Sequence, residues 1–63
     1  MIVVYIERWS GIDGSVQYPW SVWNDGHRLD MGGPFASPDE AQTEARAYCL
    51  RTLGREPDRV LRL

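Results

Sequence analysis

Few side chains in this chain could do chemistry. His27 is the sole histidine and Cys49 the sole cysteine among 63 residues. A histidine beside a nucleophile can serve as its base, but no nucleophile stands in a recognisable motif near His27. It follows Asp25-Gly26, a turn dipeptide, where a solvated polar residue is expected. Cys49 falls mid-helix on an apolar stripe, away from any helix N-terminus or cation that would lower its pKa, and reads as an inert buried thiol. Glu7, Asp30 and Glu44 could be imagined as an acid–base set, but no spacing pairs them, and so short a chain provides little cleft to raise a carboxyl pKa. Glycines 11, 14, 26, 32 and 33 sit at turns, and none forms a phosphate-cradling pattern ahead of the helix. No Cys/His cluster has metal-ligand spacing, and a lone cysteine cannot form a disulfide within the chain. The expectation is a protein that is not an enzyme and needs no cofactor or metal.

Two surfaces remain as candidates for binding. Asp39, Glu40 and Glu44 stand near the start of the helix. The helix dipole accounts for the first two, since negative charge is stabilised there. Glu44 repeats the charge of Glu40 one turn on, a mildly unfavourable spacing. Together with Asp30, and with Asp13 and Asp25 in the loops, these carboxylates could meet a basic groove. The second surface is aromatic. Trp9 and Trp23, with Tyr5, are expected on the sheet face away from the helix, beside Glu7, Arg28 and Asp30. Trp, Tyr and Arg are enriched at interface hot spots. The plain alternatives are a solvated charged face for the first surface and Arg28 stacked on Trp23 for the second.

Both surfaces depend on the elements beneath them. Ile2–Trp9 is β-branched and aromatic and reads as a strand, with Ile2, Val4 and Ile6 on one face and Val3, Tyr5, Glu7 and Trp9 on the other. Ser10–Gly14 has the composition of a connection. Val16–Trp23 reads as a second strand, placed at an edge or bulged at Pro19 because proline donates nothing to a ladder. Asp25-Gly26 predicts a two-residue type I′ turn. That turn sets Asn24 against His27, Trp23 against Arg28, Val22 against Leu29, Ser21 against Asp30 and Trp20 against Met31. Tyr18, Trp20, Val22, Leu29 and Met31 then share the core face, and Gly32-Gly33-Pro34 ends the third strand.

Ser37-Pro38-Asp39-Glu40 carries the signature of a helix start, with Ser37 as N-cap, Pro38 at the first position and Glu40 at the third. Ala41, Ala45, Tyr48, Cys49 and Thr52 form one helical stripe bordered by Leu53, and Gly54 is placed to cap the end. The small residues at the start of the stripe predict Trp20 lying over Ala41 or Ala45. Arg59–Leu63 reads as a short fourth strand, parallel to the first if the helix is a crossover. The predicted architecture is α+β over residues 1–63 as a single domain: a three-stranded antiparallel sheet with one helix on one face and a possible fourth strand at the C-terminal end.

Composition limits the partners. A chain this short buries only about 60% of its unfolded surface, and such a core supplies roughly 3–5 kcal/mol. Three Trp and three Tyr help to fill it. The net charge is −2 and every cation is Arg, without the basic stripe that direct nucleic-acid binding needs. No apolar run is long enough to span a bilayer. Ile2–Ile6 is too short for a signal-peptide core and ends in Glu7-Arg8. The expectation is a cytoplasmic protein, monomer or homodimer, with a protein partner.

Gly33–Leu50, GPFASPDEAQTEARAYCL, following the Asp-Gly hairpin, resembles several bacterial β-β-α domains. It also resembles the partial RNase-H-like module of HicB-type antitoxins, in which a strand pair leads into a Ser/Thr-x-x-Glu-Ala helix start. Met31-Gly32-Gly33-Pro34 stands where that family has Pro-Asp-x-Pro-Gly. In kind, a tiny acidic sheet-plus-helix protein without catalytic motifs is similar to phage-encoded anti-CRISPR inhibitors. That likeness implies a regulator whose carboxylates occupy a nucleic-acid site on an effector complex, in the host cytoplasm. The HicB likeness implies an antitoxin-like or self-associating module instead.

Overall fold

The computed structural model describes Met1–Leu63 throughout. Its elements are β1 (Ile2–Ile6), β2 (Trp9–Ser10), β3 (Val16–Asn24), β4 (His27–Phe35), α1 (Pro38–Tyr48) continued by a π-helical turn (Cys49–Leu53), and β5 (Arg59–Arg62). The strands lie in the order β4–β3–β1–β5, with β2 following β1 along the same side of β3. Pairs β1/β3, β2/β3 and β3/β4 are antiparallel, and β1/β5 is parallel, with Val3 opposite Arg59 and Ile6 opposite Arg62. The sheet is therefore mixed, not a three-stranded antiparallel one, and the expected fourth strand forms part of it.

Proline chemistry explains why one expected strand became two. The register against β3 is continuous from Ile2 opposite Asn24 to Ser10 opposite Val16. At its middle, Glu7 N–H donates to the Pro19 carbonyl (2.9 Å). Pro19 has no N–H to return that bond, so the ladder lapses between Ile6 and Trp9. β3 is a central strand, not an edge. On its β4 side the register shifts between Tyr18 and Trp20, so Pro19 does sit at an irregularity.

The turn after β3 is the one anticipated: Asp25 and Gly26 have φ of 50° and 84°, both positive as a type I′ turn requires. Asn24 opposes His27 and Trp23 opposes Arg28 as expected. One residue later the register departs. Leu29 is an extra residue in β4, so Val22 opposes Asp30, Ser21 opposes Met31 and Trp20 opposes Gly32. A bulge of this kind moves every following side chain to the other face. Leu29 and Met31 leave the core and are 42% and 45% exposed. β4 also runs three residues past Gly32, to Phe35 opposite Tyr18.

Gly32 shows what the bulge achieves. The Trp20 indole lies directly on it, and a Cβ there would sit 2.5 Å from Trp20 Cζ2. The core comprises Ile2, Val4, Ile6, Trp20, Val22, Ala41, Ala45 and Cys49, ringed by Tyr18, Phe35, Tyr48, Leu53 and Val60. Trp20 thus shares the core with both alanines, and its ring meets Tyr48 at 5.4 Å between centroids. Its Nε1 is buried without a hydrogen-bond partner.

The helix begins as its sequence demands, with Glu40 N–H donating to Ser37 Oγ (3.2 Å). Ala41, Ala45 and Cys49 are fully buried, whereas Thr52 is exposed. The π-helical turn ends at Gly54, whose N–H donates to the Cys49 carbonyl. Asp58 ties the return strand to the first: its carboxylate accepts from Ile2 N–H (2.6 Å) and its own N–H donates to the Ile2 carbonyl (2.8 Å). No helix is long and apolar enough to cross a membrane.

Candidate functional site

The acidic residues of α1 gather in one shallow concavity. Asp39, Glu40, Thr43 and Glu44 line it with Phe35 at the end of β4, enclosing about 330 Å³. The helical repeat places positions 40 and 44 one turn apart on the exposed side, while Ala41 and Ala45 face the sheet. The three carboxylates are not equivalent. Asp39 is held by Arg62 of β5 at 2.7 Å, and the same guanidinium donates to Gln42 Oε1 at 2.8 and 3.1 Å. Glu40 and Glu44 have no ion-pair partner, so the free negative charge of this surface is theirs.

Asp30 joins neither surface as expected. The Leu29 bulge sets it opposite Val22, in the helix-side phase of the sheet, while Arg28 opposes Trp23 on the other side. Its Oδ1 accepts from Met31 N–H (2.7 Å), and it does not line the concavity. Asp13 is engaged locally with Ser15, whose hydrogen bonds hold its carboxyl below the usual range. Asp25 pairs with the Met1 ammonium at 2.9 Å.

The sheet face away from the helix carries three successive rows. Arg28, Trp23, Val3 and Arg59 form the row nearest the hairpin, and Met31, Ser21, Tyr5 and Leu61 form the next. Pro19 and Glu7 form the third. Val3, Tyr5, Trp23, Asp25 and Gly26 enclose an open groove of about 440 Å³. The Trp23 indole is fixed by a hydrogen bond from its Nε1 to Ser21 Oγ (2.9 Å) and by Tyr5, edge-on at 6.3 Å. Those contacts, not a stacked Arg28, set its ring. Trp9, 49% exposed, belongs to the same face but lies opposite Gln17, six residues along β3 from Trp23. At about 3.3 Å per residue that is roughly 20 Å, too far for the two indoles to form one cluster.

None of the residues with catalytic potential is assembled. His27 is exposed beside the turn. Cys49 is fully buried, and burial pushes its thiol pKa up. Glu7 and Glu44 lie on opposite sides of the sheet, so no carboxylate pair arises from them. No three of His, Cys, Asp and Glu come together as a metal site.

Sequence reasoning overlooked Phe35, Arg62, Arg59 and Leu61, and placed Met31 in the core instead of on the open face. The alternation of RVLRL, laid parallel beside IVVYI, carries Arg62 to the helix side and Arg59 and Leu61 to the open face, and would have placed all three. Phe35 and Met31 had no such signal, because their positions follow from the two irregularities in β4. Comparison with protein-family models, curated proteins and solved structures found no match.

Proposed function

We propose that this protein is a non-enzymatic binding protein that inhibits or regulates a protein partner through the acidic concavity of α1. The observation that carries the reading is the gathering of Glu40 and Glu44 around Phe35, with Thr43 between them. Two unpaired carboxylates beside a half-buried aromatic ring suit a partner that offers Arg or Lys around an apolar spot. Electrostatic complementarity of this kind speeds association and selects the partner. A site that normally receives nucleic-acid phosphates has that character, which is the mode of action implied by the likeness to anti-CRISPR inhibitors. Asp39 contributes less than its position suggests, because Arg62 already compensates its charge.

The test is capture from lysate with the wild-type chain and with a Glu40→Lys/Glu44→Lys variant. Asp39 is left intact so that its bond to Arg62 survives. The expected result is a nucleic-acid-binding protein retained by the wild type, released by competing DNA or RNA, and not retained by a variant whose circular dichroism is unchanged. Retention that is indifferent to both the charge reversal and the competing nucleic acid would overturn the proposal.

A further inference from the structure

We infer that the sheet face opposite the helix is a homodimer interface, formed by two copies packed face to face about a twofold axis running across the strands. The face has an apolar centre and oppositely charged ends. Its middle row holds Met31, Tyr5 and Leu61 around buried Ser21. The hairpin end presents Arg28 and Arg59, and the other end presents Glu7. None of these three charges has an ion-pair partner within the chain, although four other cationic groups do. The two carboxylates near the hairpin end, Asp25 and Asp58, are already matched by the Met1 ammonium and by Arg55.

That pattern selects one geometry. An axis parallel to the strands would bring the hairpin ends together and set Arg28 of one copy against Arg59 of the other. An axis across the strands, through the middle row, reverses the strand direction between copies. Each Arg59 then approaches Glu7 of the second copy, twice by symmetry, while Met31, Tyr5 and Leu61 meet their own counterparts. Such an isologous arrangement is the commonest route to a dimer, and face-to-face sheets pack in this way at about 10 Å separation. Four strands spaced ~4.8 Å apart alongside Val3–Ile6, and three from there to Trp9, give a footprint of roughly 330 Å² in projection per copy. Twice that area, about 660 Å² in projection, places the contact among small, transient interfaces. The dimer is accordingly a weak one. It leaves the acidic concavity free on the outer face of each copy, and so stands or falls independently of the function proposed above.

Analytical ultracentrifugation over a concentration series tests it. The wild type should pass from monomer to dimer, and Glu7→Arg or Arg59→Glu alone should weaken the dimer by about tenfold or more. An equimolar mixture of those two variants should restore association, because the mixed dimer has an opposite-charge pair at both symmetric contacts. Met31→Lys, a change at an exposed side chain that the fold tolerates, should also dissociate the dimer by placing two cations on the axis. A wild type that stays monomeric at about 1 mM would overturn the inference. So would a dimer unaffected by Met31→Lys, or a mixture that associates no better than either variant alone.

Discussion

Gly32 shows how much a single position can decide in so small a core. Its missing side chain is the space that Trp20 occupies, and a methyl group there would meet the indole at 2.5 Å. Gly32→Ala must therefore push the ring aside or bend β4. Overpacking of this kind costs about 1–3 kcal/mol, a large share of what a domain this size possesses. Urea denaturation should show that loss, together with a change in the near-ultraviolet signal of the Trp20–Tyr48 pair. The sequence reads Gly32-Gly33-Pro34 most simply as the end of a strand, since glycine and proline punctuate structure. Here the glycine instead serves a cross-strand aromatic ring. That role depends on a partner twelve residues away, so no local rule reveals it.

Among the elements, the closure of β5 on β1 offers the clearest electrostatic handle. Asp58 accepts from Ile2 N–H and from Arg55 at 2.7 Å. The backbone bond from Ile2 is the main cause that holds its carboxyl below the ordinary value of 3.8, and Arg55 and the chain-terminal ammonium add to it. A carboxylate whose folded pKa is depressed adds stability above its unfolded pKa and loses it as pH falls through the folded one. Asp58→Asn should thus be less stable than the wild type at neutral pH, and the difference should shrink below about pH 3.8, as read from thermal unfolding across a pH series. The helix start and the Asp-Gly turn were legible because their signals are local: Ser37 and Pro38 cap, and Asp25 and Gly26 turn. The bulge at Leu29 was not, because alternation alone places Leu29 and Met31 inside. Their exclusion follows from Trp20 claiming the space over Gly32, a matter of volume that hydrophobic pattern does not encode. The candidate surfaces shared that fate. Glu40 and Glu44 stood where the helix put them, while Asp30 changed sides with the bulge and Asp39 met an arginine from the far end of the chain.

At the scale of the whole molecule, the helix and sheet meet at Cys49, whose thiol is enclosed by both. An opening that separates the two layers exposes it, and so does unwinding of the Cys49–Leu53 turn that it begins, so labelling that tracks circular dichroism separates global unfolding from local fraying. In native buffer the thiol should react with a disulfide reagent far more slowly than in urea, and its rate should rise with denaturant in step with the loss of circular dichroism. Rapid labelling under native conditions would mean that the helix lifts from the sheet, or that this turn unwinds, independently. The parallel pairing of β1 with β5 has a mechanical meaning as well. The chain enters β1 at Ile2 and leaves β5 at Arg62, at opposite ends of two strands that run side by side in the same direction. Tension applied between those points would not peel the hydrogen bonds apart one by one. It would load them together in shear, along the strands, so that this small protein should resist stretching more strongly than its modest core alone would allow.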